Sequence, residues 1–227
     1  MNDPLFLLLL VGIPLLSGFV STQMRSRFVQ FSRQPMQLTG REAAELMLRQ
    51  FGIDDVRVIS VRGQLTDHYN PETKTVNLSE VVYSQRNVAA VAVATHEVGH
   101  AVQHATGYPL LKMRSKMVPF LQLSNLALPI MAFGGAGASA VLGNQGIMLL
   151  CILGLGLPAL FSIVTLPVEF NASRRALLWM ERSGLALGDQ PAGAQKALFW
   201  AAMTYVVAAL GSILQALAFA RMFFRRR

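Results

Sequence analysis

The chain has 227 residues and carries 20 Lys and Arg against 12 Asp and Glu, a formal charge of +8. Apolar residues make up 53% and charged residues only 14%, against roughly 25% charged in an ordinary soluble domain. That balance excludes a disordered chain and points to long segments solvated by lipid. The single cysteine, Cys151, excludes an intrachain disulfide and a cysteine-based zinc cage.

The first apolar stretch, Pro4 to Met24, has no formal charge and the length that a bilayer crossing needs. Asp3 precedes it, and Arg25, Arg27 and Arg33 follow. A signal peptide would carry its positive charge first. The expectation is an uncleaved anchor with its N-terminus outside.

A polar insert follows. Thr39-Gly40-Arg41-Glu42 opens a helix that runs through Arg49 and ends at Gly52. Val56 to Val61 reads as a strand. Leu65 to Tyr69 and Thr73 to Leu78 read as two more, around an Asn70-Pro71 turn. A long helix is expected from Asn87 to Thr106, stopped by Gly107 and Pro109.

That helix carries His96-Glu97-Val98-Gly99-His100. Residues four apart share a helix face, about 5–6 Å apart at Cβ. Two imidazoles so placed can converge on one Zn²⁺ at about 2.0–2.1 Å. Glu97 is rotated ~100° from His96, beside the metal and placed to take a proton from its water. A catalytic zinc needs a third protein ligand. His104 shares the face but lies about 12 Å along the axis from His96, too far for one ion on a straight helix. In zincins with a third His, the pattern HExxHxxGxxH puts that residue where Thr106 stands here.

From Met117 to Val168 there are 52 residues without a formal charge, enough for a hairpin of two spans. Its turn is expected in the glycine-rich Gly134 to Gly146. Lys112, Arg114 and Lys116 precede it, and Arg174 and Arg175 follow, so both ends are read as cytoplasmic. Glu169 ends the uncharged run. A lone carboxylate at a membrane boundary is costly unless paired or metal-bound. It is therefore the better candidate for the third ligand. The last apolar stretch, Ala197 to Ala220, lies between Lys196 and Arg221, and its orientation stays open between a span and a bend back. The expected divisions are an anchor over 1–24, the insert over 25–116, the hairpin over 117–168, and a third-ligand helix with a C-terminal membrane segment over 169–227.

Three blocks carry a family likeness: Gly63-Gln64-Leu65-Thr66-Asp67-His68-Tyr69, the run from Val91 through the His96 motif to Ala101, and Leu166-Pro167-Val168-Glu169-Phe170-Asn171-Ala172-Ser173-Arg174-Arg175. With them the chain resembles the YugP-type neutral zinc metallopeptidases, bacterial multi-pass membrane proteins. More distantly it is similar to the HtpX and CAAX-prenyl-protease group, which also places a Glu ligand on a helix after a membrane hairpin. The resemblance implies one zinc per chain, with His96, His100 and Glu169 as ligands and Glu97 as base. Asp is usual in the family where Asn70 and Asn171 stand here. The implied fold is a mainly α membrane protein, a multi-pass helical bundle with a small α+β zincin-like metallopeptidase insert.

Other residues are weighed for supporting roles. The Leu65 to Leu78 stretch could offer an edge strand to an extended substrate, or simply cover the helix. His68 and Tyr69 are candidates for stabilising an oxyanion, against an ordinary structural role for His68. Ser173, four residues past Glu169, shares its face and could bond a ligand His; Asn171 is a second candidate there. Arg174 and Arg175 could steady an oxyanion, although anchoring at lipid headgroups is the favoured reading.

The expected function is a zinc-dependent endopeptidase of the bacterial cytoplasmic membrane, its site on the cytoplasmic side. Its partners would be the lipid bilayer and a protein or peptide substrate. Two alternatives compete. One is an intramembrane site-2-like protease. The other is a non-catalytic scaffold with a structural metal, which needs a fourth ligand from His68 or His104. Basic residues scattered beside apolar segments, rather than gathered in one patch, argue against nucleic acid.

Overall fold

In the computed structural model, residues 4–122, 143, 146, 154, 156–186 and 188–224 are described. They are mostly helical, with a small three-stranded sheet. Most of the expected 117–168 hairpin, its glycine-rich turn and Cys151 lie outside the described residues.

The N-terminal apolar run forms α1 (Pro4–Leu7), a π-helical segment (Leu8–Gly12) and α2 (Ile13–Ser32). Helix therefore continues past the expected end at Met24 and carries Arg25 and Arg27 in its last turns. Leu7, Leu10 and Leu15 are 66%, 60% and 68% exposed, a row of bare apolar side chains suited to lipid rather than water. Leu8–Ser32 and Gln190–Ala218 are both long and apolar enough to cross a bilayer.

Two compact units emerge. One comprises Met1–Phe19, Lys112–Leu166 and Thr204–Arg227; the other comprises Val20–Leu111 and Pro167–Met203. The second holds the insert. Its α3 (Gly40–Gln50) starts with a reciprocal capping box. The Thr39 side chain accepts the Glu42 N–H at 3.1 Å, and the Glu42 carboxylate accepts the Thr39 N–H at 2.8 Å. Ala43, Ala44, Met47 and Leu48 form its buried face.

Strand β1 (Arg57–Val61) pairs in parallel with β3 (Thr75–Ser79), and β2 (His68–Asn70) pairs antiparallel with β3. The order is β1-β3-β2, so β2 is an edge. The central strand is buried at every position. The expected strand from Leu65 is corrected here: Leu65 has φ 57°, a left-handed conformation that an extended strand cannot contain. The chain becomes extended only at His68. Asp67 anchors the entry, because its carboxylate accepts the Ser79 N–H at 2.7 Å and the Ser79 hydroxyl at 3.2 Å. The start of β3 also moves, from Thr73 to Thr75. Asn70 Oδ1 accepts the N–H groups of Glu72 and Thr73 at 2.9 and 3.2 Å, an Asx turn that consumes those residues. A carboxylate at position 70 could accept the same two bonds.

After α4 (Glu80–Ser84), helix α5 (Val88–Ala105) begins at Asn87, whose side chain accepts the Ala90 N–H at 2.9 Å. It ends at Gly107, φ 67°. Most of α5 is buried, its Ala and Val packing on α3 and the sheet. Helix α6 (Leu157–Arg182) runs unbroken through Pro167. At Gly99 of α5, a Cβ would stand 2.7 Å from the Ala172 carbonyl oxygen of α6. Only glycine lets the two backbones come this close. Helix α7 (Gln190–Phe224) starts before the expected Ala197 and is continuous, so the last apolar segment does not bend back.

Candidate metal centre

The i, i+4 spacing on α5 places His96 and His100 on one face, their rings edge to face with centroids 4.8 Å apart. The close approach at Gly99 brings α6 against that face. Glu169 then projects between the two rings. Its Oε2 lies 3.2 Å from His96 Nε2 and 3.5 Å from His100 Nε2. The ligand atoms of all three residues fall within 4.8 Å of one another.

This group fits zinc. Bonds of about 2.0–2.1 Å separate the donors of a tetrahedral ion by roughly 3.4 Å, close to the two distances above. Two imidazole nitrogens and a carboxylate oxygen are an established zinc donor set. Burial raises the cost of ionising Glu169, whose side chain is 2% exposed. Hydrogen bonds and charge from His100 and His96 outweigh it and hold the carboxyl well below the usual carboxylate range. Among the described residues no fourth His, Cys, Asp or Glu joins the group. Three protein donors match a catalytic zinc rather than a closed structural one. The two histidines considered for a fourth position are bonded elsewhere. His68 is exposed, with Nδ1 2.8 Å from the Thr66 carbonyl oxygen. His104 Nδ1 lies 2.8 Å from the Tyr69 hydroxyl.

The surroundings orient these groups. Glu97 is buried, and its Oε2 accepts the Tyr69 backbone N–H at 3.0 Å. Strand β2 thus lays its free edge against the carboxylate. The Tyr69 side chain turns to His104 instead. Burial, and secondarily the charge of Asp55, push its phenol up to about 12. Ser173 Oγ lies 3.1 Å from His96 Nδ1. Asn171 meets no ligand; its Oδ1 accepts Arg175 Nε at 2.8 Å and Gln103 Nε2 at 3.0 Å. Arg174 is exposed, about 140° round the axis from Glu169, and stands apart from the cluster. Arg175, one residue on, joins the network through Asn171.

Gln103 was not among the sequence candidates. It is fully buried, its Oε1 lies 3.0 Å from His100 Nδ1, and its Nε2 also donates to the Val168 carbonyl at 2.8 Å. The available signal was its position three residues past His100, on the same helix face, in a helix otherwise rich in Ala and Val.

Comparisons with known proteins agree with this chemistry. Residues 6–224 match the family described as "Putative neutral zinc metallopeptidase". Over 225 residues the chain is 38% identical to "Putative membrane protease YugP" of Bacillus subtilis (strain 168), covering 98% of each chain. No solved structure matches it. With the match spanning nearly the whole length and a zinc-type donor set at its centre, the chain belongs to the neutral zinc metallopeptidase family.

Proposed function

We propose that this zinc metallopeptidase is an integral, multi-pass membrane endopeptidase, with His96, His100 and Glu169 holding the metal and Glu97 acting as general base. The observation that carries the reading is the convergence of His96 Nε2 and His100 Nε2 on Glu169 Oε2 from two helices. Zinc, when bound, supplies Lewis acidity toward a peptide carbonyl and lowers the pKa of a coordinated water.

The chain's own residues do the rest. Glu97 accepts a proton from water and returns it to the leaving amine. The Tyr69 N–H, at 3.0 Å, fixes the Glu97 carboxylate against β2. Strand β2 pairs with β3 on one side only; its other edge, where Glu97 holds the Tyr69 N–H, is the edge beside which an extended peptide can run. This supports a protein or peptide substrate. His68, exposed at the start of that strand, is the candidate donor to the developing oxyanion. The Lys and Arg flanking the 117–168 run support a site on the cytoplasmic side.

The test uses the full chain purified in detergent, with a fluorescent unfolded protein as substrate. Glu97→Gln should retain stoichiometric zinc and lose about 10²–10⁴-fold in kcat/KM, the usual worth of a general base. Cleavage at the wild-type rate would refute the role of Glu97. Near-stoichiometric zinc in His100→Ala would refute the ligand set.

A further inference from the structure

Both Nδ1 atoms of the histidine pair have partners, but of different kinds. Ser173 Oγ, 3.1 Å from His96 Nδ1, is a hydroxyl that can donate or accept. It adapts to either tautomer. Gln103, against His100, has no such freedom.

The reason begins on α6. The Arg175 guanidinium can only donate, and its Nε points at Asn171 at 2.8 Å. The Asn171 amide must therefore turn its oxygen toward Arg175. That same oxygen is 3.0 Å from Gln103, which must present its nitrogen. The second donor of that nitrogen goes to the Val168 carbonyl at 2.8 Å, which can only accept. Both neighbours thus force the same amide orientation, and Oε1 is left facing His100 Nδ1 at 3.0 Å. An amide oxygen only accepts, so Nδ1 carries the proton, and the ring, when neutral, has its lone pair on Nε2. That nitrogen is the one 3.5 Å from Glu169 Oε2.

We propose that Gln103 is a positioning residue for zinc: Arg175, Asn171 and Gln103 form a one-directional hydrogen-bond relay that fixes the Nδ1–H tautomer of His100. The relay links α6 to α5 through their side chains, so the helix that supplies Glu169 also sets the donor atom of a histidine on the other helix. Plain satisfaction of the Val168 carbonyl does not account for Gln103, since that carbonyl lies within a continuous helix and has its own backbone donor. Asn171 makes its two bonds as an acceptor, so an aspartate there would preserve the direction of the relay. The proposal rests on His100 being a ligand.

The experiment measures zinc affinity of the full-length protein in detergent by competition with a chromophoric chelator, beside thermal unfolding of the metal-free form. Gln103→Met is expected to bind zinc about 10–100-fold more weakly, the usual effect of losing a partner of a ligating histidine. Asn171→Leu should weaken it in the same direction, and Asn171→Asp should bind at least as tightly as the wild type. His100→Ala is the control. If it loses zinc while Gln103→Met and Asn171→Leu match the wild type, the relay is refuted and the ligand set stands. If His100→Ala keeps zinc at wild-type affinity, the ligand set fails and the relay with it. Should Gln103→Met not fold, the Asn171 pair decides. A ¹⁵N spectrum of the zinc-loaded wild type supplies an independent readout: His100 should show a protonated Nδ1, and a protonated Nε2 overturns the proposal.

Discussion

Gly99 lies between the two histidines of the motif and carries no functional group, yet it sets the geometry of the centre. A methyl there would meet the Ala172 carbonyl oxygen at 2.7 Å. Gly99→Ala should therefore destabilise the fold by about 1–3 kcal/mol through overpacking. It should also loosen zinc, because α5 must move from the helix bearing Glu169. Thermal unfolding and chelator competition would register the two effects; a variant matching the wild type in both would show that the contact is slack. Tyr69 gives a pH signature. Its phenol is pushed up to about 12, first by burial and then by Asp55, from an ordinary value near 10. The folded state therefore resists its ionisation. The stabilisation is fully present below about pH 10 and is lost as pH rises through about 12. An ultraviolet difference titration of wild type against Tyr69→Phe should find one phenol ionising near 12, and one near 10 would contradict its buried pairing with His104. Both effects were invisible in sequence. The glycine was read only as part of a motif, and Tyr69 as an oxyanion candidate, because neither helix contact nor hydroxyl partner is local to the chain.

Helix ends were the most legible elements, since a cap is a short-range interaction. Thr39 and Glu42 close α3 through each other, and Asn87 and Gly107 bound α5 as expected. Thr39→Ala removes the acceptor of the Glu42 N–H and should cost about 1 kcal/mol in unfolding free energy. A denaturant titration with no shift in midpoint would show that the box does not hold the helix. The nearby Arg86–Glu42 pair is exposed on both sides and contributes little. Strand β2 was less legible. The Asn70-Pro71 turn suggested a strand from Leu65, but left-handed Leu65 and the Asp67–Ser79 bonds delay extension to His68. The parallel pairing of β1 with β3 was not readable either. It depends on β3 entering between its two neighbours, the place in the sheet where every residue of β3 is buried.

At the scale of the molecule, zinc should couple to stability. A ligand that binds only the folded state raises the unfolding temperature by mass action, and the three donors come together only in the fold. Removing zinc with a chelator should lower the unfolding temperature of the wild type and leave His100→Ala unchanged. Equal shifts in the two proteins would place the bound metal elsewhere. Across the membrane, a reporter fused after Arg227 and another in the Gln64 loop would test the proposed orientation; a Gln64 reporter on the outer side would overturn the cytoplasmic site.

The amino-acid sequence by itself determined what depends on near neighbours. It placed His96 and His100 on one face, because a helix repeats every 3.6 residues. It also set the caps of α3 and α5, and the long apolar stretches. It singled out Glu169 by its isolation at the end of an uncharged run. Only the tertiary structure decided that Glu169 meets His96 across 73 residues of chain, with His100 beside it, that Tyr69 grips Glu97 by its backbone, and that Gln103 stands between His100 and Asn171. These are contacts between elements, and those that join α6 to α5 exist only once Gly99 lets the two helices pack.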